Sequence, residues 1–357
     1  MNKPNILAYY LPQFHEIQEN NKWWGDGFTE WVALNNAKPY FKGQEIRRPI
    51  APFYQYELPS KEVMEWQANL AKEHHIDGFF IWDYWFGHGE RLLSKPKEFV
   101  RDNKVDFPYA LIWANHSWFN KGKNILLKEQ KYLGEDDYHA YATDCLTHFL
   151  TDNYIKVGNS PVFGIFLPSS VPDLHKFMEV FDNIAIQNGF DGIYWVAENT
   201  SSMSEVANHF DVVISSSKYF ASRKWRHPFF FIKEQLIKRF NLNFLGPIKY
   251  DYEKIFSPEI KFEKNESPAI FAGWDTTPRH GIRGTFLKNF NEVSFEKHLD
   301  SILQHTKNEK INFLVVKSWN EWAEGNLIEP DSELGYTLLH TLKAKIEEYF
   351  IKEANFE

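Results

Sequence analysis

The chain has 357 residues, enough for one large domain with ample core or for two modest ones. Its 40 Lys and Arg against 48 Asp and Glu give a formal charge of −8, which excludes a general nucleic-acid footprint, and a lone cysteine, Cys145, excludes an internal disulfide. Aromatic residues make up 17%, with 13 Trp, 17 Tyr and 32 Phe, a richness that suits a large aromatic core or rings stacked on sugar faces.

The N-terminal stretch, residues 1–14, is a short apolar run broken by Pro4 and Pro12. It lacks the long apolar core and cleavage site of an export signal. No run reaches the roughly 18 apolar residues of a membrane-spanning helix. The location this predicts is the cytoplasm. Eight short apolar runs then follow one another, at residues 6–10, 78–84, 109–113, 161–166, 192–196, 211–215, 269–273 and 311–316. Each reads as a buried strand. Helical spacing fills most of the gaps, at residues 60–74, 138–150, 174–187, 203–210 and 295–305, and a last helix at 336–350 closes the chain. The first of these starts at Pro59-Ser60, a capping pair, and spaces Val63, Trp66 and Leu70 along one face. Cys145 reads as a buried residue of the second. Strands alternating with helices predict a parallel sheet closed into a (β/α)8 TIM barrel over residues 1–357. An open doubly wound sheet is the alternative; the first strand is not followed by the Gly-x-Gly-x-x-Gly that would favour it.

In such a barrel the active face lies at the strand C-terminal ends. Six ends of eight carry aromatic and polar residues together. The candidates for substrate contact are Tyr10 and His15 after the first strand, Asp83 and Trp85 at the second, and Trp113, Asn115 and His116 at the third. Trp274, Asp275 and Arg279 follow the seventh, and Trp319 and Asn320 the eighth. Trp113 and Trp274 suit stacking on sugar rings, Asp83 and Asp275 suit paired hydroxyls, and Arg279 suits a carboxylate or phosphate. The ordinary readings stand beside these: Asp275 opening a turn before Pro278, Arg279 in a structural ion pair, Trp113 in the core. Two connections are long. One holds the polar, aromatic stretch 20–56. The other is an insertion at 217–268 after the sixth strand, with Arg223, Lys224, Trp225, Arg226 and His227 ahead of an apolar run to Phe240. Loops of this length are usually lids or extra subdomains. A cap helix on the barrel mouth is the favoured reading of the insertion; contact with an anionic membrane surface or a lipid-linked glycan is the other.

The last strand runs into Trp319, Asn320, Glu321, Trp322, Ala323, Glu324 and Gly325. A helical turn there puts Glu321 and Glu324 on one side. Aromatic walls desolvate them and each raises the other's proton affinity. Two carboxyls of unequal proton affinity are what glycosidic-bond chemistry needs, one to give a proton and one to take one. The plain alternative is a solvated helix start. No metal or cofactor is expected: His74 and His75 are adjacent and diverge on a helix, and no His-x-x-x-His, paired-Cys, phosphate-loop or Gly-x-Ser-x-Gly spacing occurs.

The pieces Tyr9–His15, Asn21–Gly25, Gly27–Trp31, Trp113–Asn115, Gly273–Arg279 and Trp319–Gly325, in that order along residues 5–345, resemble the WbsX family. That family is associated with O-antigen and capsule glycosyltransferases and with a glycoside hydrolase family 99-like domain. The wider resemblance is to endo-α-mannosidases, which share an Asn-Glu-Trp-x-Glu-Gly stretch on a (β/α)8 barrel. It implies that Glu321 and Glu324 are catalytic. Glu321 would draw the proton from the sugar 2-hydroxyl, so that this oxygen displaces the leaving group through an anhydrosugar. Glu324 would protonate the departing oxygen and later activate water, with retention. His116 stands where that family more often has glutamate, and Trp82-Asp83-Tyr84-Trp85 where it more often has Tyr-His-Tyr-Trp; both departures bear on substrate identity. The expectation is a retaining, endo-type glycoside hydrolase acting on a bacterial polysaccharide or O-antigen-like glycan, free or lipid-linked. A glycosyltransferase building such a glycan is the second reading. A non-catalytic glycan-binding barrel is the third, disfavoured because both glutamates are intact.

Overall fold

A computed structural model of the chain describes residues 3–120, 125–240, 242–263 and 266–351. Eight parallel strands form the barrel: β1 Asn5–Tyr10, β2 Gly78–Trp85, β3 Tyr109–Trp113, β4 Ser160–Ile165, β5 Tyr194–Glu198, β6 Val212–Ile214, β7 in two pieces, Glu266–Ser267 and Ala269–Phe271, and β8 Phe313–Lys317. Each pairs with the next, and β1 pairs with β8, so the sheet is a nearly closed TIM barrel. The first piece of β7 pairs with β6 and the second with β8. Pro268 divides them, because proline has no amide to give to the ladder. The (β/α)8 expectation is met, with strand ends shifted by at most a few residues except where Pro268 intervenes.

The helices that matter below are α1 Glu30–Asn35, α2 Lys61–Glu73, α3 Lys95–Asn103, α4 Glu135–Phe149, α5 Leu174–Gln187, α6 Pro228–Phe240, α7 Thr277–His280, α8 Glu292–Glu309 and α9 Thr337–Ile346. Local chemistry sets their ends. The Ser60 side chain accepts from the Val63 amide at the start of α2. Asn291 and Ser294 exchange side-chain and backbone bonds in a capping box at the start of α8. The helix expected at 203–210 is a short 3-10 turn, Glu205–His209, where Ser204 caps a segment too polar to bury a helical face.

Two layers make the core. Inside the barrel, Tyr9 stacks on Phe80 and on Trp82, with ring centroids 5.6 and 4.8 Å apart. Gly164 makes room for this: a Cβ there would sit 2.5 Å from the Phe80 ring. Outside it, Trp113 lies flat on Phe177 of α5 at 5.0 Å, and Trp85 flat on Tyr141 of α4 at 4.8 Å. The alternation of side chains along each strand thus divides the aromatic residues between lumen and helix layer.

Between β6 and β7 the chain builds α6 and a short strand, Ile248–Asp251, that pairs with Thr285–Lys288 beyond α7. Positions 241 and 264–265 of that insertion lie outside the described residues. Among the described residues no helix is long and apolar enough to cross a membrane.

Candidate active site

β8 delivers the site. After Lys317 the chain makes a two-residue strand, Asn320–Glu321, a 3-10 turn, Trp322–Glu324, and a return strand, Asn326–Leu327, paired antiparallel to the first. Gly325 turns the corner at φ +54°, and a Cβ on it would lie 2.8 Å from the Asp275 Cβ and 2.9 Å from its amide nitrogen. Both the left-handed backbone and the close approach require glycine. Gly325→Ala is expected to cost roughly 2–4 kcal/mol, the sum of backbone strain and overpacking. A denaturant-unfolding change below about 0.5 kcal/mol, within the range of a neutral surface substitution, would contradict this.

The turn places both glutamates at the mouth. Glu321 accepts a hydrogen bond from the Trp82 indole, 3.0 Å away. Glu324 pairs with Arg279 at 2.7 Å. The other arm of that guanidinium grips both oxygens of Glu30, each at 2.8 Å. Glu30 is buried and also accepts from the Ala323 amide at 2.8 Å, so it anchors the turn and the arginine together. Burial, then the neighbouring charge of Glu324, push the Glu321 carboxyl up to about 7, against the opposing pull of Arg279, Lys317 and the Trp82 bond. Lys317 sits below, 2.7 Å from the fully buried Glu198 and 5.1 Å from the Tyr9 ring centre. The Tyr9 hydroxyl donates to Glu198. The Tyr84 hydroxyl is raised by burial first and by Glu321 next, with Arg279 opposing, which sets it within electrostatic reach of the pair.

Beneath the turn lies a second polar set. Buried Glu329 accepts from Gln67 at 2.6 Å, from Tyr56 at 2.8 Å and from the Trp322 indole at 2.8 Å. Burial pushes its carboxyl up to about 7, with those three bonds opposing. The ordinary value is 4.5, so between the two values the folded chain binds more protons than the unfolded one. Stability from this group is therefore full at acid pH and is lost as pH rises through about 7, on the order of 3 kcal/mol in all. Glu321 adds to the same trend. The melting temperature is expected to fall from about pH 5 to about pH 8, and Glu329→Gln to flatten the fall; a rise over that range would sink the assignment.

Several residues expected at the site are drawn into the scaffold instead. Tyr10 points outward and donates to Gln67 of α2 at 2.7 Å. Asp83 also faces outward, 2.6 Å from Lys97 of α3 and 2.9 Å from the Tyr141 hydroxyl. Trp85 and Trp113 belong to the helix layer described above. Asn115 bridges strand ends, donating to the Leu167 carbonyl at 2.8 Å and accepting from its amide at 2.7 Å. Trp319 is buried edge-on to Phe79. Asn320 is buried and holds both backbone groups of Leu11, at 2.8 and 3.2 Å. Asp275 opens α7, accepting from the Thr277 amide at 2.9 Å and from Gln44 at 2.8 Å. Each has its acceptors or its ring face occupied by protein.

The others stay near the mouth. His116 packs 5.5 Å from Phe166, which meets Trp82 edge-on. Trp274 walls a cavity of about 220 Å³ with Phe220, Arg223, Glu234, Tyr250 and Thr285. His15, with Thr29 and Trp31, lines another of about 260 Å³. Burial, then Lys95, push the His15 imidazole down to about 4; the nearby Pro12 carbonyl pulls the other way without meeting either ring nitrogen in hydrogen-bond geometry. Neither cavity is lined by the glutamates; the first borders the turn through Trp274, and the second through Thr29 and Trp31, which flank Glu30. Sequence reasoning missed Glu30, Trp82, Tyr84, Lys317 and Glu198 as site residues. The available signal was period two: if Trp82 faces the lumen, so does Tyr84, and Asp83 cannot. Among the described residues no cluster of His, Cys, Asp or Glu is arranged to hold a metal ion.

A family model described as Glycosyltransferase WbsX matches residues 6–342. Two curated relatives, each called "Uncharacterized protein WxcX" and found in two strains of Xanthomonas campestris pv. campestris, B100 and ATCC 33913, are both 28% identical over 94% of this chain. The chain spans about half of their length, 48% in each. Among solved structures, a GH99 endo-alpha-mannosidase from Bacteroides thetaiotaomicron aligns over 100% of this chain and 99% of its own, with TM-score 0.58 at 13% identity. A "Glycoside hydrolase-like protein" aligns over 97% of this chain and 94% of its own, also at TM-score 0.58 and 13% identity. At that identity the likeness is one of fold.

Proposed function

The chain belongs to the WbsX glycosyltransferase family, and from that premise we propose that it acts on glycans and cleaves a bacterial polysaccharide or O-antigen-like glycan, within the chain and with retention, through Glu321 and Glu324. One observation carries the reading. Two glutamates at the end of the last barrel strand feel each other's charge, one with its carboxyl raised to about 7 and one held by an arginine. Cleaving a glycosidic bond needs one proton given and one taken. A pair sharing a single proton near neutral pH holds that inventory.

Following the resemblance, Glu321 accepts the 2-hydroxyl proton as that oxygen attacks the anomeric carbon, and Glu324 protonates the departing oxygen. Water then opens the anhydrosugar, giving its proton to Glu324 while Glu321 returns the other to the 2-oxygen. Two inversions leave the configuration retained. At rest Glu324 lies against Arg279. Substrate arrival opens that contact so that Glu324 can carry the proton it gives, while Glu30 keeps the guanidinium in place.

The test is a pH profile of kcat/KM on capsular or O-antigen polysaccharide, with products sized. Shortened chains are expected, and activity falling above about pH 7 as the pair loses its last proton. A rate that stays flat through about pH 9 would remove the pair from the chemistry. The family's description favours a second reading, in which a sugar hydroxyl replaces water and chains lengthen. Acceptor glycan with nucleotide-sugar donors, scored for extension, separates the two. Glycan binding without turnover in either assay would assign the chain a binding role.

A further inference from the structure

The insertion after β6 carries a face that the cleft chemistry does not use. In α6, Phe229, Ile232, Leu236 and Phe240 recur at helical spacing and are all exposed, Phe229 at 72%. Trp225, just before the helix, is 78% exposed and Phe244, just after it, 76%. The helix is held by its other side: Ile237 is buried, and buried Glu234 takes Arg223 at 3.0 Å and the Tyr250 hydroxyl. The inner face thus packs on the insertion's own residues, and the outer one leaves an apolar stripe.

Charge gives the stripe a direction. Residues 217–249 contain eight Lys or Arg and one Glu, in a chain whose net charge is −8. Lys224 and Arg239 are exposed beside the stripe, each above the ring next to it, 5.3 Å from Trp225 and 5.8 Å from Phe240. Lys218, Arg223 and Arg226 meet Glu266, Glu234 and Glu259, while Lys224 and Arg239 lie over rings, and rings flanked by exposed cations are the pattern of a helix lying in a headgroup layer. A symmetric contact with a second copy would set this cationic surface against itself.

We propose that the outer face of α6, with Trp225 and Phe244, docks the protein on an anionic bilayer surface, rings at headgroup depth and cations against the lipid phosphates. The insertion is tied to the barrel mouth through Phe220, 5.2 Å from Trp274, and through the strand paired with Thr285–Lys288. Docking therefore holds the mouth close to the membrane, where glycans anchored by lipid are within reach.

The experiment is co-sedimentation of the whole chain with vesicles of phosphatidylcholine alone and of phosphatidylcholine with phosphatidylglycerol in equal parts. Binding at least about tenfold stronger to the anionic vesicles is expected, weakened by high salt. Two double variants at exposed positions, Trp225→Ser with Phe229→Ser and Lys224→Glu with Arg239→Glu, should each lose it while melting like the parent. Equal sedimentation with both vesicles, no sedimentation with either, or binding that survives both variants overturns the proposal. So does a dimer in sedimentation equilibrium that the serine pair dissolves, since the face would then be an interface between copies. The readout is lipid binding alone, so its failure leaves the cleft chemistry standing.

Discussion

Glu321→Gln is expected to lower turnover of the cleaved glycan by roughly 100- to 10,000-fold, the usual worth of a positioned acid or base, and to leave the protein at least as stable as the parent near pH 8. The second half follows from the site's electrostatics. In the parent, Glu321 must ionise in buried surroundings that, with Glu324, raise its carboxyl to about 7. The amide removes that cost and still offers an oxygen to the Trp82 indole, which lies 3.0 Å from the carboxylate now. Activity and stability should therefore move in opposite directions, the signature of a group placed for chemistry rather than for packing. Glu324→Gln should cost turnover on the same scale, without the gain in stability, because it takes a partner from Arg279. Steady-state rates and alkaline melting curves decide it; a Glu321→Gln enzyme within about threefold of the parent rate, far short of a general acid–base contribution, would end the assignment.

Arg279→Met is expected to destabilise the fold through the charge it orphans at the mouth. Glu30 is buried, and the guanidinium grips both its oxygens. Removing a buried charge's partner commonly costs about 3–5 kcal/mol. The Arg279 side chain is 32% exposed, so water softens the loss, and about 2–3 kcal/mol is expected. Lysine cannot replace it: a point charge reaches one carboxylate, whereas the fork spans Glu30 and Glu324 at once. Glu30→Gln combined with Arg279→Met should recover a good part of the loss, since no orphaned charge is left. Equal unfolding free energies for the single and double variants would show that the pair is not coupled.

The barrel was legible because eight apolar runs recur between helical patterns, and the glutamate pair because it follows the last of them. What the sequence hid was the direction in which strand residues point. Every residue of β2 is buried, so its pattern carries no polar-out alternation to tell lumen from helix layer. Asp83 was a natural candidate for sugar hydroxyls and instead meets Lys97, while Trp82, one position earlier, reaches Glu321. Glu30 was hidden for another reason. It lies 249 positions from Arg279, and only the folded barrel brings the two together. Asn320 looked like a ligand for substrate because it is polar and adjacent to the glutamate pair. Its amide is spent on Leu11, a role that local sequence cannot show.

That last contact has a consequence for biosynthesis. Leu11 and Asn320 stand 309 positions apart, at the two ends of the ring, where β1 meets β8. The segment from Leu11 through Asn320 must be synthesised before the turn that carries Glu321 and Glu324 has a wall to lean on. A nascent chain stalled earlier can fold its helices and most of its strands and still lack the turn that carries Glu321 and Glu324.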